Sequence, residues 1–245
     1  MKNLQKLLYK VSINSIYGNT NISIENLSYD SREIKKNSIF FAIKGENYNG
    51  FDYINESIKK GAIAVLCKNI PIKIDKKIVY VIVENVEIAL GIISSNFYDN
   101  PSSKMKLVGI TGTNGKTTTT TLLHKLFKDH NLSVGLISTI SINYNNKVFK
   151  TNHTTPDSIT INSFLKSMID EGVSYCFMEV SSHGIRQNRT SGLEFYGAVF
   201  TNISHDHLDY HKNFENYRDT KKSFFDNLSR DAFALTNIDD KNGLF

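Results

Sequence analysis

The residues best suited to chemistry stand together in Val108-Gly109-Ile110-Thr111-Gly112-Thr113-Asn114-Gly115-Lys116-Thr117-Thr118, where an apolar run enters a glycine-rich turn and passes directly into a helix-forming stretch. That combination cradles phosphate. Gly112 and Gly115 let backbone N–H groups face an anion, Lys116 reaches toward outer phosphates, and the Thr117 hydroxyl suits Mg²⁺. The helix that follows aims its positive end at the same place. The generic G-x-x-x-x-G-K-[ST] loop wants its first glycine where this chain has Ile110, with Gly109 one position early, so the loop is a variant.

A second group lies further along. The run Val173 to Val180 reads as a strand with Glu179 near its C-terminal end, where open α/β sheets gather their ligands. Glu179 is thereby placed to face a nucleotide-bound metal, although an ordinary strand-end carboxylate would look the same. The stretch Ser181-Ser182-His183-Gly184-Ile185-Arg186-Gln187-Asn188-Arg189 is richer in donors than a plain connection needs. Another strand, Tyr196 to Thr201, leads to His205-Asp206-His207-Leu208-Asp209-Tyr210-His211. Its three His and two Asp within seven residues fit a zinc cluster and a solvated polar loop equally. In a last helix, about Phe214 to Leu228, Lys221 falls inside the apolar stripe Phe214, Tyr217, Phe224, Phe225 and Leu228. A lysine there either snorkels to water or is chemically special, because burial lowers an amine's pKa and favours the nucleophilic form that reacts with CO₂ to give a carbamate.

The elements that must position these groups alternate strand and helix. Ser38 to Ile43, Ala62 to Leu66 and Ile78 to Val83 read as strands, with helices over about Tyr53 to Lys60 and Glu87 to Phe97. The polar run Asp99-Asn100-Pro101-Ser102-Ser103 marks a boundary, giving domains 1–103 and 104–245. Tyr29-Asp30-Ser31-Arg32 and the 44–52 loop flank the first strand and, taken alone, are turns. In the second domain, the helix after the phosphate loop offers Leu122, Leu123, Leu126 and Phe127 as its apolar face. Val134 to Ser138 is a strand, and Ile140 to Tyr144 with Lys147 to Lys150 form a hairpin around Asn145-Asn146. Thr155 is the expected N-cap of the next helix, whose stripe is Ile161, Phe164, Leu165, Met168 and Ile169. The fold class expected is α/β: an N-terminal α/β domain ahead of a doubly wound central domain of the P-loop NTPase kind.

Composition narrows the function classes. The chain has 245 residues, 40% of them hydrophobic, with no apolar run long enough for a signal peptide or a membrane span, so a cytoplasmic protein without membrane insertion is expected. Cys67 and Cys176 stand alone in apolar segments outside any C-x-x-C, which argues for buried thiols over a disulfide or a cysteine-based zinc site. The net charge of +5 comes from lysines scattered without a basic block, so nucleic acid is not an expected partner.

The phosphate loop, Glu179 and the histidine-rich loop, in that order, resemble the Mur ligase and folylpolyglutamate synthase superfamily. Met178-Glu179-Val180-Ser181-Ser182-His183-Gly184 with Gln187 and Arg189 resembles the Mur branch that adds the third residue of the peptidoglycan peptide. The resemblance runs the whole chain through Asp30-Ser31-Arg32, Gly45-Glu46-Asn47 and Thr154-Thr155-Pro156. It implies that Tyr29, Ser31 and Glu46-Asn47-Tyr48 hold a uridine nucleotide, and that Thr154, Thr155, Ser181, Gln187 and Arg189 hold the muramoyl-peptide. ATP would lie on Gly112 to Thr118, with Thr117, Glu179 and His207 ligating Mg²⁺. Lys221 would be carbamylated and support a second Mg²⁺, making Lys116, Lys221 and His207 the catalytic set.

The implied activity is ATP-dependent joining of diaminopimelate or lysine to UDP-N-acetylmuramoyl-L-Ala-D-Glu by a monomeric enzyme. Relatives carry a third, amino-acid-binding domain that is absent here and a fuller central sheet, so this chain is expected to bind the UDP-muramoyl-dipeptide without ligating it. Rival readings are the D-Ala-D-Ala-adding sister ligase, folylpolyglutamate synthase, a non-catalytic UDP-sugar or nucleotide binder, and a zinc-dependent hydrolase centred on His205 to His211.

Overall fold

Parallel strands are covered on both faces and so read as unbroken apolar runs. Ala62–Cys67 and Val79–Ile82 follow that rule, buried at every position except Ile63. The computed structural model describes residues 1–45, 48–204 and 211–245. The chain divides into two compact units, Met1–Asp99 and Asn100–Phe245.

The first unit runs β1 (Lys2–Asn3), α1 (Leu4–Leu7), β2 (Ser15–Tyr17), β3 (Ser23–Ile24), β4 (Asn26–Ser28), β5 (Ser38–Phe41), α2 (Ile54–Lys60), β6 (Ala62–Cys67), β7 (Val79–Ile82) and α3 (Val86–Phe97). Its main sheet has the order β2-β7-β6-β5-β4, parallel except for β2. Phe40, Val65 and Tyr80 are among the side chains that fill its core.

The second unit runs β8 (Lys106–Thr111), α4 (Lys116–Asp129), β9 (Val134–Ile137), β10 (Ser141–Tyr144), β11 (Lys147–Lys150), α5 (Ser158–Asp170), β12 (Tyr175–Glu179), α6 (Ser182–Arg186), β13 (Gly197–Phe200), α7 (Phe214–Asp226) and β14 (Phe233–Thr236). Its sheet has the order β11-β10-β9-β12-β8-β13-β14, with β9, β12, β8, β13 and β14 parallel. The phosphate-loop strand β8 therefore lies between β12 and β13, and the C-terminal ends of all three open onto the same edge. The β10–β11 hairpin turns on Asn145 and Asn146 at φ +45° and +63°, the two positive values that a tight hairpin turn requires. No described helix is long and apolar enough to cross a membrane.

Three expectations need correction. The units part at Asp99, ahead of the 103/104 boundary, because Pro101 and Ser102 are buried and the Ser102 hydroxyl accepts from Glu194 N at 3.0 Å within the second unit. The N-cap of α5 is Asp157, which accepts from Ile159 N and Thr160 N, while Thr155 serves the β12 edge. The inner face of α4 is Thr120, Leu123 and Phe127, and Leu122 and Leu126 are 61% and 51% exposed. One residue along a helix turns a side chain by about 100°, which separates Leu122 and Leu126 from that face.

Gly109 does not belong to the loop at all. It sits inside β8, where a Cβ would come within 2.5 Å of Phe224 Cζ and 2.9 Å of Phe195 Cε1. Gly109→Ala should overpack this contact and cost roughly 1–3 kcal/mol. Urea denaturation of the chain checks this, and an unchanged midpoint would contradict the packing described.

Candidate functional site

The loop from Gly112 to Gly115 joins the end of β8 to the start of α4. Gly112 has φ +151°, and a Cβ there would fall 1.9 Å from Thr201 Oγ1; Gly115 has φ +83° immediately before the helix. Only glycine meets both demands without strain. Lys116 Nζ donates to the Gly112 and Thr113 carbonyls at 2.9 and 2.8 Å, so its ammonium is held over the loop. Thr117 and Thr118 lie in the first turn of α4, where the helix supplies its positive end.

Lys221 does not snorkel. Its side chain is 2% exposed, packs 4.6 Å from the centre of the Tyr217 ring, and donates from Nζ to Gly112 O at 2.9 Å. Two ammonium groups thus converge on one loop carbonyl. Tyr217 ties the same helix to the loop through a 3.0 Å hydrogen bond between its hydroxyl and Thr113 Oγ1. His207, with the rest of 205–210, lies outside the described residues, and so does the zinc reading that rested on them.

Glu179, at the end of β12, has no exposed surface. Its Oε1 accepts from Thr139 N at 2.8 Å, and its Oε2 accepts from Thr117 Oγ1 at 3.0 Å with Thr139 Oγ1 at 3.2 Å. Thr139 is not among the residues that the sequence singles out. It follows β9, the strand beside β12, so the tendency of ligands to gather at parallel-strand C-termini was the available signal. As a test of fit, the Thr117 hydroxyl and the Glu179 carboxylate are hard oxygen donors of the kind Mg²⁺ selects. The Lys221 amine, as it stands, offers no oxygen.

Beside Glu179 the remaining second-unit candidates form one cluster. Thr155 Oγ1 lies 3.0 Å from Glu179 O and 3.1 Å from Ser181 Oγ, and it accepts from Ser181 N at 2.9 Å. Ser181 caps α6 by accepting from Gly184 N. Arg189 donates from Nη1 to Thr155 O at 2.6 Å, and from Nε and Nη2 to Gln187 Oε1 at 2.9 and 2.6 Å. Thr154 Oγ1 lies 3.1 Å from Thr139 Oγ1, close enough for its hydroxyl to donate to Thr139, whose own proton goes to Glu179.

Tyr29, Ser31 and Tyr48 belong to the first unit, where Tyr29 and Tyr48 are exposed and Ser31 is buried. Arg32 forks onto the Asp30 carboxylate at 2.6–3.1 Å, and this hydrogen bonding holds Asp30 below the usual aspartate range. Glu46 and Asn47 lie outside the described residues.

Glu179→Gln should destabilise the second unit by roughly 1–3 kcal/mol, because every partner of the carboxylate is a donor and an amide must turn N–H toward one of them. Thermal melting checks this; wild-type stability in the variant would mean the hydrogen bonds are not formed as described.

Residues 110–245 match the Mur ligase middle domain, and residues 23–100 match the model described as Mur ligase family, catalytic domain. The UDP-N-acetylmuramoyl-L-alanyl-D-glutamate–2,6-diaminopimelate ligases of Cytophaga hutchinsonii and Bacteroides fragilis are 48% and 47% identical over 98% of this chain. The chain spans about half the length of these curated relatives, 50% in each case. A solved diaminopimelate-adding ligase superposes with a TM-score of 0.81 at 22% identity, covering 99% of this chain and 48% of that one. A MurF ligase of Thermotoga maritima in complex with ADP gives 0.58 at 22% identity over 89% of this chain and 46% of that one. At such identities these two likenesses speak to fold.

Proposed function

The chain belongs to the Mur ligase family, and from that membership we propose that it is the nucleotide-binding and sugar-nucleotide-binding part of an ATP-dependent ligase. The ligase would join diaminopimelate to UDP-N-acetylmuramoyl-L-Ala-D-Glu. The observation that carries this reading is 47–48% identity along nearly the whole chain to ligases whose names give that reaction. Gln187, Arg189, Thr155 and Ser181, joined beside Glu179, support the muramoyl-peptide assignment over a bare nucleotide site.

A carboxylate does not react with an amine, because its oxygen is a poor leaving group. ATP supplies the remedy: its γ-phosphoryl group passes to the glutamate γ-carboxylate with loss of ADP. The amine then attacks the acyl phosphate, phosphate leaves, and an amide forms as the nitrogen gives up a proton. The protein's burden is positioning and charge neutralisation. Lys116 brings a cation to the outer phosphates. Thr117 and Glu179 would hold Mg²⁺, which when bound neutralises charge on the phosphates. Lys221 would become an oxygen ligand only after its amine adds CO₂ to form a carbamate, and His207 would supply a nitrogen ligand. In the first unit Tyr29, Ser31 and the Glu46-Asn47-Tyr48 loop would receive the uridine nucleotide.

The relatives are about twice as long as residues 1–245, and none of the side chains placed at the site above would capture the amine. In an assay of these 245 residues alone, the want of that positioning would forgo roughly 7–11 kcal/mol of barrier lowering. Incubation with ATP, Mg²⁺, UDP-muramoyl-dipeptide and diaminopimelate should therefore show bound UDP-dipeptide but no tripeptide by mass spectrometry; robust product from the chain alone would contradict the division of labour. Lys116→Ala should weaken ATP binding about tenfold or more, since a charge-assisted contact is lost. Calorimetric titration with unchanged affinity would remove the basis for the phosphate-loop assignment.

A further inference from the structure

The tip of the phosphate loop is held by a segment 88 residues away in sequence, at the C-terminal end of β13. Asn202 meets Asn114 with both arms of its carboxamide: Oδ1 accepts from Asn114 N at 3.0 Å, and Nδ2 donates to Asn114 O at 3.1 Å. Thr201 Oγ1 donates to the same carbonyl at 2.7 Å. The backbone continues the contact, with Thr113 N donating to Asn202 O at 2.8 Å and Ser204 N donating to Thr113 Oγ1 at 3.0 Å. This bracket is braced from behind, because Asn237 Nδ2 donates to Thr201 O at 2.9 Å and the Asp240 carboxylate accepts from Ile203 N at 2.6 Å.

An anion cradle works when its N–H groups are fixed before the ligand arrives, so that ordering is not charged against binding. A glycine-flanked loop has no such rigidity of its own. We infer that Asn202 is a positioning residue for nucleotide binding, one that fixes the backbone of Asn114 and so presets the phosphate loop. Its carboxamide supplies an acceptor to the N–H and a donor to the C=O of one residue, bridging two consecutive peptide units, a pattern that no other uncharged side chain of its length provides. The inference rests on the reading of residues 112–118 as a phosphate cradle.

The test uses this chain with MgATP and, separately, inorganic tripolyphosphate, titrated calorimetrically into wild type, Asn202→Ala and Asn202→Asp. Wild type should bind both. Asn202→Ala should bind each roughly tenfold more weakly, the order expected for loss of paired neutral hydrogen bonds, while its melting temperature without ligand stays close to wild type. Amide hydrogen exchange at residues 113–115 should become faster in that variant, a change that a general loss of packing would spread across the unit. Asn202→Asp keeps the acceptor but turns an anionic oxygen toward Asn114 O. Its affinity relative to wild type should therefore be lowest at neutral pH and recover in mild acid, where the protonated carboxyl can donate again. Affinities within about twofold of wild type in both variants would overturn the role of Asn202 and leave the cradle standing. Failure of wild type itself to bind either ligand would overturn the cradle and this inference with it.

Discussion

Glu179 is a carboxylate with no exposed surface, and the second unit's functional edge depends on how that burial is tolerated. A buried anion without partners costs several kcal/mol, whereas each hydrogen bond to a charged group returns about 1.5–3 kcal/mol. Here the donors come from two separate places: Thr117 at the start of α4, and the backbone and hydroxyl of Thr139 after β9. The Glu179 main-chain carbonyl meets Thr155 Oγ1, ahead of α5. Satisfying this one residue, through its carboxylate and its main-chain carbonyl, therefore brings the phosphate-loop helix and the Thr155 segment to the end of β12. That is the geometry a metal and a phosphorylated substrate would need.

The loop beside it carries the opposite charge. Lys116 and Lys221 both donate to Gly112 O at 2.9 Å, so two lysine side chains meet at one loop carbonyl. A buried carboxylate bonded to the start of α4 and two lysine amines on the loop before it suit a ligand that brings both negative phosphates and a divalent cation. Folding has placed these groups on facing sides of one sheet edge, with β8 lying between β12 and β13.

Local features of this arrangement were legible in the sequence. The phosphate loop depends on residues within one turn of each other, and the Asn145-Asn146 hairpin and the Ile161, Leu165, Met168 stripe of α5 likewise follow from short-range spacing. What the sequence hid was long-range or masked by composition. The Thr139–Glu179, Asn202–Asn114 and Thr113–Tyr217 contacts span 40, 88 and 104 residues, and Thr and Asn at strand ends look like ordinary turn residues. The inner face of α4 departs from its sequence pattern because its buried residue in the first turns is Thr120, while the conspicuous leucines at 122 and 126 face outward. Thr155 had the right type and place for an N-cap, yet Asp157 took that role and Thr155 became a structural link to Glu179.

We read the C-terminal edge of β12, β8 and β13 as a preset nucleotide site. Hydrogen exchange of the chain, followed by mass spectrometry with and without MgATP, tests it most directly. Protection should concentrate in residues 112–118, with a smaller effect around Thr139 and Glu179, and should be absent from the β10–β11 hairpin at the far side of the sheet. Unchanged exchange across 112–118 in saturating MgATP, or protection centred away from that edge, would contradict the account.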